Sequence, residues 1–384
     1  MNEIIYLDNH ATTPIAREVL DEMLPFYTTH FGNAASSHIL GITAKEAVEK
    51  ARQQVADLLG CETREVIFTS GATESNNLAI KGVANAYKEK GNHIITSVVE
   101  HHAVLDTCHA LESEGFEITY LPVDKYGMVN PDDVNSSITP KTILISIIYA
   151  NNEVGTINPL SDIAKIASKH NIVFHSDAVQ GIGKIESSVD VLGLDLASMT
   201  AHKIYGPKGV GALYVRNGVN LSPLFFGGGQ EQGIRSGTLN VGGIVGLGAA
   251  CESCRLAMDQ KIEETVVCEL RDTLYKKLHT QIQDIHLNGH PEKRLAGNLH
   301  ISIEGVHNQA LMTGLNRIAV SAGSACDSES VTPSHVLSAM GIPNELAMTA
   351  VRFGIGRYNS IKEINIVANE VEKTVNRLRT LTPE

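Results

Sequence analysis

The chain has 384 residues, of which 43% are hydrophobic and 19% are charged, and its formal net charge at pH 7 is −12. This length is enough for two domains, or for one domain with a large buried core. The negative charge argues against non-specific nucleic-acid binding, because the phosphate backbone would repel the protein. No apolar run approaches the roughly eighteen residues of a membrane span, so we expect a soluble protein that binds no membrane.

The N-terminus and the cysteines predict where the protein is located. The first ten residues, MNEIIYLDNH, have no basic region followed by an apolar core, so we expect no signal peptide. Six cysteines are few for this length. Without a secretory signal they are best interpreted as reduced thiols of a cytoplasmic protein.

The first sixty residues predict an extended segment followed by helices. Residues 4–14 begin as a strand and end at a proline, and residues 16–27 and 43–59 have the apolar spacing of helices. The small-residue loop at 31–38 lies between them. Such loops usually only connect elements, but they can also approach a ligand closely.

From residue 66 to residue 215 strand-like segments alternate with helices of about ten to fifteen residues, the pattern of βαβ units in a mostly parallel sheet. Ligands of such sheets bind beyond the carboxyl ends of the strands. Polar residues follow the apolar runs at those ends: Thr73, His101, Asn152, Asp177 and Lys203. Their convergence predicts a single site.

The second half of the chain predicts a second, smaller α/β domain. Residues 221–247 are rich in glycine and too irregular for the centre of a sheet, whereas 248–282 have one long helical pattern. Strands then alternate with helices at 332–340 and 361–380.

The lysine in residues 196–211, LASMTAHKIYGPKGVG, follows directly after an apolar strand. Burial in a cleft would disfavour the ammonium of Lys203 and leave a nucleophilic amine, the state that a Schiff-base lysine needs. Taken alone, the segment fits equally well a lysine whose ammonium lies in water.

Two upstream features favour a cofactor at this lysine. Asp177 at the end of an apolar strand could hold a pyridine nitrogen protonated, as pyridoxal phosphate requires, or could cap the next turn. The junction from Gly71 to Thr73 could bind an anion at a helix N-terminus, or could contain an ordinary N-cap threonine. Both features occurring upstream of Lys203 favour the cofactor interpretation.

Three other side chains are candidates for catalysis or binding. His101 suits acid–base work or stacking on an aromatic cofactor, although a lone histidine is more often structural. Cys326 lies in a Gly/Ser-rich stretch without apolar periodicity, which is typical of a reactive thiol. Asp327 and Glu329 would raise its pKa, so we expect activation in the substrate complex. Arg352 is expected to present its guanidinium to a carboxylate.

Two features of the second half are expected to be structural. Arg357 is interpreted as a surface charge. Cys251 and Cys254 form a lone pair of thiols on a predicted helix, without a second pair at zinc spacing, so they are expected to pack rather than bind metal.

Nine motifs together resemble one known family. They are YLDNHATT, SGATESNNLAIKG, EHHAVLD, NNEVG, HSDAVQGIGK, AHKIYGPKGVGALYVR, GGGQEQGIRSGT, SAGSACDS and RFGIGR. In this order, over nearly the whole chain, they resemble the NifS/IscS-type cysteine desulfurases. The resemblance implies a fold-type-I pyridoxal phosphate enzyme with a large domain at 16–250, built on a seven-stranded, mostly parallel sheet. Residues 1–15 and 251–384 would form the smaller α/β domain that carries the catalytic cysteine.

The resemblance also implies a role for each motif residue. Lys203 would bind the cofactor as a Schiff base, Asp177 would pair with its ring nitrogen, and His101 would stack on the ring and move protons. Gln180 would form a hydrogen bond with the ring hydroxyl, and Asn152 would lie close by. The phosphate would be held by Ala72, Thr73, Thr200, His202 and, from the partner subunit of a homodimer, Thr238.

In this family the substrate is L-cysteine. Arg352, helped by Asn33, would bind its carboxylate. Cys326 would take the sulfur as a persulfide and release alanine, then pass the sulfur to an acceptor or iron–sulfur scaffold protein. No metal ligands are expected, apart from contact of Cys326 with a transferred iron–sulfur cluster. Residues 325–333 resemble the longer mobile loop of the scaffold-serving group.

Some residues depart from the family pattern, and other functions remain open. Where the family usually has GNPSS, residues 32–36 of this chain are GNAAS. Thr200 replaces the commoner serine, and Asp327 adds a negative charge beside Cys326. An aminotransferase or C–S lyase on the same fold is an alternative, as is a non-catalytic sulfur carrier or binding partner, because a fold does not determine chemistry.

Overall fold

The computed structural model describes residues 4–323 and 333–381. Its strands are β1 (Ile5–Tyr6), β2 (Val66–Thr69), β3 (His93–Ser97), β4 (Glu117–Leu121), β5 (Thr142–Ser146), β6 (Val173–Asp177), β7 (Leu196–Thr200), β8 (Gly211–Val215), β9 (Ile285–Leu287), β10 (Asn298–Ile303), β11 (Ile318–Ala319) and β12 (Ala350–Gly354). Its helices are α1 (Arg17–Met23), α2 (Pro25–Thr28), α3 (Ile39–Leu59), α4 (Ala72–Tyr87), α5 (His102–Ser113), α6 (Pro131–Ser137), α7 (Leu160–Lys169), α8 (Val189–Leu192), α9 (Val241–Asp259), α10 (Cys268–Gln281), α11 (Asn308–Gly314), α12 (His335–Ala339), α13 (Asn344–Ala347) and α14 (Ile361–Leu381).

A seven-stranded sheet forms the centre of the large domain, in the order β2-β8-β7-β6-β5-β3-β4. The pairs among β4, β3, β5, β6 and β7 are parallel, and β8 is antiparallel to both of its neighbours. Every residue of β3, β5, β6 and β7 is buried, as expected for strands covered by helices on both faces. The predicted mostly parallel α/β sheet is confirmed.

The parallel strands bring the predicted polar residues to one edge of this sheet. Asp177 is the last residue of β6 and Thr200 the last of β7, while His101 and Asn152 follow β3 and β5 by a few residues. Because these strands run in the same direction, their carboxyl ends lie side by side. The edge therefore gathers side chains that are far apart in sequence.

Helix α9 begins at Val241, seven residues before the predicted start of the helical pattern at residue 248. Its glycines allow close packing: a Cβ at Gly242 would lie 2.5 Å from the Tyr27 ring, and a Cβ at Gly248 would lie 2.6 Å from the Ala51 Cα atom. The helix formed despite these glycines because tertiary packing outweighs their poor helix propensity.

The predicted single helix at 248–282 is in fact two helices. α9 ends at Asp259, Lys261 has a φ of 56°, and a π-helical turn at Glu263–Val267 leads into α10. The predicted domain boundary at residue 250 falls inside α9, whose Cys251 and Cys254 pack in the core of the large domain. The core of the large domain therefore extends to the end of this helix.

The smaller domain is built on an antiparallel sheet of β12, β10 and β9. The N-terminal strand β1 pairs in parallel with β11, and Ile5 and Leu7 belong to the same hydrophobic core as α14. The N-terminal strand therefore packs with the C-terminal helix α14.

Among the described residues, one helix is long and apolar enough to cross a membrane, and it is α9. More than half of its apolar window is buried inside the protein, where it packs against α3 and α1. Packing in the core thus accounts for its apolar composition.

Gly248→Ala should destabilise the large domain by about 1–3 kcal/mol, because the new methyl group would overlap the backbone of α3. Urea denaturation followed by circular dichroism measures the free energy of unfolding. Leu256→Ala is the matched control, since Leu256 is an exposed residue of the same helix and should cost less than 1 kcal/mol, roughly. Equal losses in the two variants would contradict the close-packing explanation.

Candidate active site

A cavity of about 520 Å³ lies at the carboxyl edge of the large sheet. It is bounded by the segment after β1, the start of α4, the ends of the parallel strands, and β12 of the small domain. It brings together most of the predicted site residues: Ala72, Thr73, His101, Asn152, Asp177, Gln180, Thr200, His202, Lys203 and Arg352.

The amine of Lys203 is held by the backbone of the N-terminal segment. Nζ donates to the carbonyl oxygen of His10 and, at 2.8 Å, to that of Ala11. Burial lowers the pKa of Lys203 to about 7, and the charges of Arg352 and Lys184 act in the same direction. A large fraction of this amine is therefore neutral at physiological pH, which favours nucleophilic attack over a solvated charge.

Asp177 lies with its carboxylate in the cavity. Asn76 of α4 donates to Oδ2 at 2.7 Å, and the backbone N–H of Val179 donates to Oδ1 at 3.2 Å. The second bond is the turn-capping interaction that the sequence left as an alternative. The buried carboxylate nevertheless lines the cavity and can accept a hydrogen bond from a ligand.

The N-terminus of α4 forms one wall of the cavity. Its N-cap is Gly71, with a φ of 150° and no side chain to accept hydrogen bonds, so Thr73 is not the N-cap and the first N–H groups of the helix have no side-chain cap. Thr200 and His202 line the same cavity. Burial lowers the pKa of His202 to about 4, which leaves a neutral imidazole 3.2 Å from the Thr12 hydroxyl. This combination of N–H groups, hydroxyls and a helix dipole suits an anion such as a phosphate.

His101 is the N-cap of α5, and its Nδ1 accepts from the N–H of Ala103 at 3.0 Å. One ring nitrogen of His101 therefore has a structural role, as helix cap, which is the alternative that the sequence left open. Burial lowers the pKa of His101, although the nearby Asp177 acts in the opposite direction. In the neutral ring Nδ1 is the acceptor, so the proton is on Nε2.

Arg352 on β12 is 1% exposed, and its guanidinium has hydrogen-bond and ion-pair partners in the same chain. It donates to the carbonyl oxygen of Asn152 at 2.6 Å and forms a 3.0 Å ion pair with Asp8. Each Nη atom carries two hydrogens, so both retain an N–H for a further acceptor. The predicted carboxylate-binding guanidinium therefore lies in the cavity with part of its fork already used.

Glu100 is buried between β3 and the segment after β5. Its Oε1 accepts from the Ser97 hydroxyl at 2.6 Å and from the N–H of Ile148 at 2.9 Å. Oε2 is buried without a hydrogen-bond partner among the described residues. Burial raises the pKa of Glu100 to about 8, so this carboxyl group beside His101 is mostly protonated at neutral pH.

Three predicted site residues are not part of this cavity. Asn33 and Thr238 line a separate cavity of about 660 Å³, so within one chain neither joins the others. Cys326 lies outside the described residues, as do residues 325–332 of the predicted loop.

The sequence interpretation of Arg357 as a surface charge is wrong. Its side chain is 11% exposed, forms a 3.0 Å ion pair with Glu263 and donates to the carbonyl oxygen of Gly183 at 3.0 Å. The guanidinium also lies over the Tyr205 ring, 5.1 Å from its centroid. Arg357 thus joins the small domain to the turn that carries Gln180, a long-range contact that no local pattern could indicate.

Cys251 and Cys254 are fully buried on α9, and burial raises the pKa of both thiols. They are packed, unreactive cysteines, as expected. Within residues 4–323 and 333–381, no group of three or more His, Cys, Asp or Glu side chains is arranged to hold a metal ion.

Sequence reasoning missed two side chains that contribute to the site. His10 lines the cavity and contacts Gln180, while Lys184 donates to the same glutamine at 3.2 Å. Both lie inside motifs that the sequence singled out, YLDNHATT and HSDAVQGIGK, which was the available signal. Neither position follows an apolar strand directly, so the strand-end argument did not select them.

The chain is similar to known proteins in sequence and in fold. The sequence profile of the family described as aminotransferase class-V matches residues 5–367. The chain is 49% identical to proteins named cysteine desulfurase IscS from Dictyoglomus turgidum and Methanosarcina thermophila. Both matches cover all of this chain, and they cover 97% of the Dictyoglomus protein and 94% of the Methanosarcina protein. A solved structure described as a NifS-like protein matches 97% of this chain with a TM-score of 0.91 and 39% identity, and covers all of that chain. Another, described as SspA in complex with cysteine, matches 93% with a TM-score of 0.83 and 38% identity, and also covers all of that chain.

Glu100→Gln should stabilise the protein increasingly as the pH rises from about 5 to about 8. The folded pKa of Glu100 lies above its unfolded value of 4.5, so in this window the native state holds a proton that the unfolded chain has lost. The wild type therefore loses stability with rising pH, and the glutamine variant lacks that loss. Unfolding free energies from urea titrations at several pH values measure the difference, and a difference that does not change with pH would contradict a raised pKa.

Proposed function

Since the chain belongs to the class-V aminotransferase family and is a cysteine desulfurase, we propose that the Lys203 cavity holds pyridoxal phosphate and uses it to convert L-cysteine to L-alanine. The matches also confirm the predicted fold-type-I architecture. Enzymes of this family generally depend on pyridoxal phosphate.

The residues of the cavity fit this cofactor. A neutral amine, a buried carboxylate and an uncapped helix N-terminus lie around one cavity, and this combination is the observation on which the proposal rests. Lys203 would bind the cofactor aldehyde, Asp177 the ring nitrogen and Gln180 the ring hydroxyl, with Asn152 beside it. The phosphate would be held by Ala72, Thr73, Thr200 and His202. When bound, pyridoxal phosphate withdraws electrons from the substrate and weakens its Cα–H bond.

The residues around the cofactor site supply binding and proton transfer. Because the pKa of Lys203 is about 7, this amine can both accept a proton from the substrate and return it near neutral pH. His101 lines the same cavity, carries its proton on Nε2 and can act as a proton shuttle. Arg352 would bind the carboxylate of L-cysteine through the N–H groups that Asp8 and Asn152 do not use.

The sulfur would be taken by Cys326. A thiolate at this position attacks the sulfur of the substrate, an S–S bond forms and the C–S bond breaks. The electron pair of the C–S bond stays with the carbon, which takes up a proton and becomes the methyl group of alanine. The products are alanine and a persulfide on Cys326, which we propose is passed to a sulfur-acceptor or iron–sulfur scaffold protein in the cytoplasm. The five cysteines that the structure describes are free thiols, which supports a reducing compartment.

We also propose that the enzyme works as a homodimer. Large apolar side chains are exposed on the single chain, including Phe226 at 86%, Ile39 at 72% and Phe31 at 68%. Exposure of such residues favours an interface. The separation of Thr238 from the cavity in one chain is consistent with its reaching the phosphate of the partner subunit.

Cys326→Ser should abolish persulfide formation while the bound cofactor keeps its yellow colour. After incubation with L-cysteine, mass analysis of the tryptic peptide containing residue 326 should show the gain of one sulfur atom in the wild type and no gain in the variant. Cys268→Ser, which changes another free and partly exposed cysteine, is the matched control and should behave as the wild type. Sustained release of alanine and sulfide by Cys326→Ser would instead support a lyase.

Lys203→Ala should remove the covalent attachment of the cofactor and lower turnover by roughly 10³-fold or more. Borohydride reduction followed by peptide mass analysis should attach the cofactor to Lys203 in the wild type and to no peptide in the variant. Attachment at another lysine would contradict the assignment, and a protein that binds no cofactor at all would support the non-catalytic alternative.

A further inference from the structure

The segment after β1 crosses the cavity beside Lys203 and offers it only backbone acceptors. The carbonyl oxygen of His10 accepts from Lys203 Nζ and, at 3.0 Å, from Gln180 Nε2. The carbonyl oxygen of Ala11 accepts from the same Nζ at 2.8 Å. In the part of the chain that the structure describes, no carboxylate oxygen lies within 4.0 Å of this amine.

The number and type of acceptors match a neutral amine better than an ammonium. A neutral amine has two hydrogens, one for each carbonyl, and keeps its lone pair for reaction. An ammonium would have a third N–H that needs an acceptor, and its charge would be buried without an opposite charge in contact. The two carbonyls therefore leave the amine poised to act as a base or a nucleophile.

We infer that the carbonyls of His10 and Ala11 form a resting site for the Lys203 amine whenever that amine is not joined to the cofactor, and that Lys184 is a positioning residue that holds this site in place. The inference rests on the proposed role of Lys203 and adds to it where the amine waits and which residues control its state.

Lys184 acts through Gln180 and His10. Its Nζ donates to Gln180 Oε1 at 3.2 Å, while Gln180 Nε2 donates to the His10 carbonyl, so both ends of the amide are fixed. Since Oε1 is the acceptor end, His10 Nδ1 at 3.0 Å must be the donor to it. The amide thus bonds both the backbone and the side chain of His10 and pins the residue whose carbonyl receives the amine.

Lys184 also affects the amine through its charge. Burial lowers the pKa of Lys184 to about 8, so it remains mostly protonated at neutral pH. The positive charges of Arg352 and Lys184 disfavour a proton on Lys203, and Asp8 and Asp177 favour one. The nearby imidazoles of His10, His101 and His202 all have lowered pKa values because they are buried, and add little charge. Lys184 is therefore one of two cations that help keep the amine neutral.

The test measures the Lys203 amine directly in the full-length chain before the cofactor is added. Trinitrobenzenesulfonate modifies neutral amines, and mass analysis of the Lys203 peptide gives the modification rate at each pH. The wild type should titrate near pH 7. Lys184→Met removes the charge and the hydrogen bond to Gln180, and should raise the midpoint by roughly one pH unit. It should also slow imine formation when pyridoxal phosphate is added.

Two further variants separate this role from a general structural one. Lys184→Arg keeps a cation and N–H donors, and should restore most of the wild-type midpoint. Lys208→Met removes an exposed lysine at the rim of the same cavity, whose charge is screened by water, and should change the midpoint much less than Lys184→Met does.

The inference is overturned if Lys184→Met titrates as the wild type does, or if Lys208→Met shifts the midpoint as far. If Lys184→Met does not fold, the wild type still decides, because a midpoint near the usual lysine value of about 10.4 would show that the resting site does not favour the neutral amine. These measurements need no cysteine and no Cys326, so their failure is distinguishable from failure of the proposed desulfurase reaction.

Discussion

The burial of one amine at the end of β7 is the constraint on which the rest of the site depends. Removing Lys203 from water makes its charged form costly, and the nearby cations increase that cost although Asp8 and Asp177 reduce it. Two backbone carbonyls accept its hydrogens, while a guanidinium and a second lysine repel its proton. A parallel sheet suits a buried amine of this kind, because the carboxyl ends of its strands are buried and lie side by side, so that they hold such groups rigidly.

The small domain and the N-terminal segment provide the parts of the cavity that the large sheet does not. Arg352 connects β12 to the Asn152 carbonyl on one side and to Asp8 on the other, so one buried cation joins both parts of the small domain to the large sheet. Arg357, which is paired with Glu263, adds a second connection through the Gly183 carbonyl. The Lys203 cavity thus lies where the two domains meet, and polar contacts across it connect them.

The sequence predicted the sheet and its polar edge because both depend on local patterns. Alternating apolar runs and helices imply parallel strands, and parallel strands fix which ends coincide, so Asp177 and Lys203 were predictable as partners. The start of α9 was not, because helix propensity disfavours the glycines that its packing requires. Arg357, His10 and Lys184 were also missed, since their roles arise from contacts between segments far apart in the chain. Asn33 and Thr238 remain predictions that a single chain does not bring to the cavity.

The pairing of β1 with β11 has a consequence for how the protein is made. Ile5 lies opposite Ile318, so β1 finds its neighbour only after more than three hundred further residues have been synthesised. The large sheet can assemble earlier from segments close in sequence, whereas the N-terminus must wait. The carbonyls of His10 and Ala11 are therefore among the first parts of the Lys203 cavity to be translated and among the last to reach their native position.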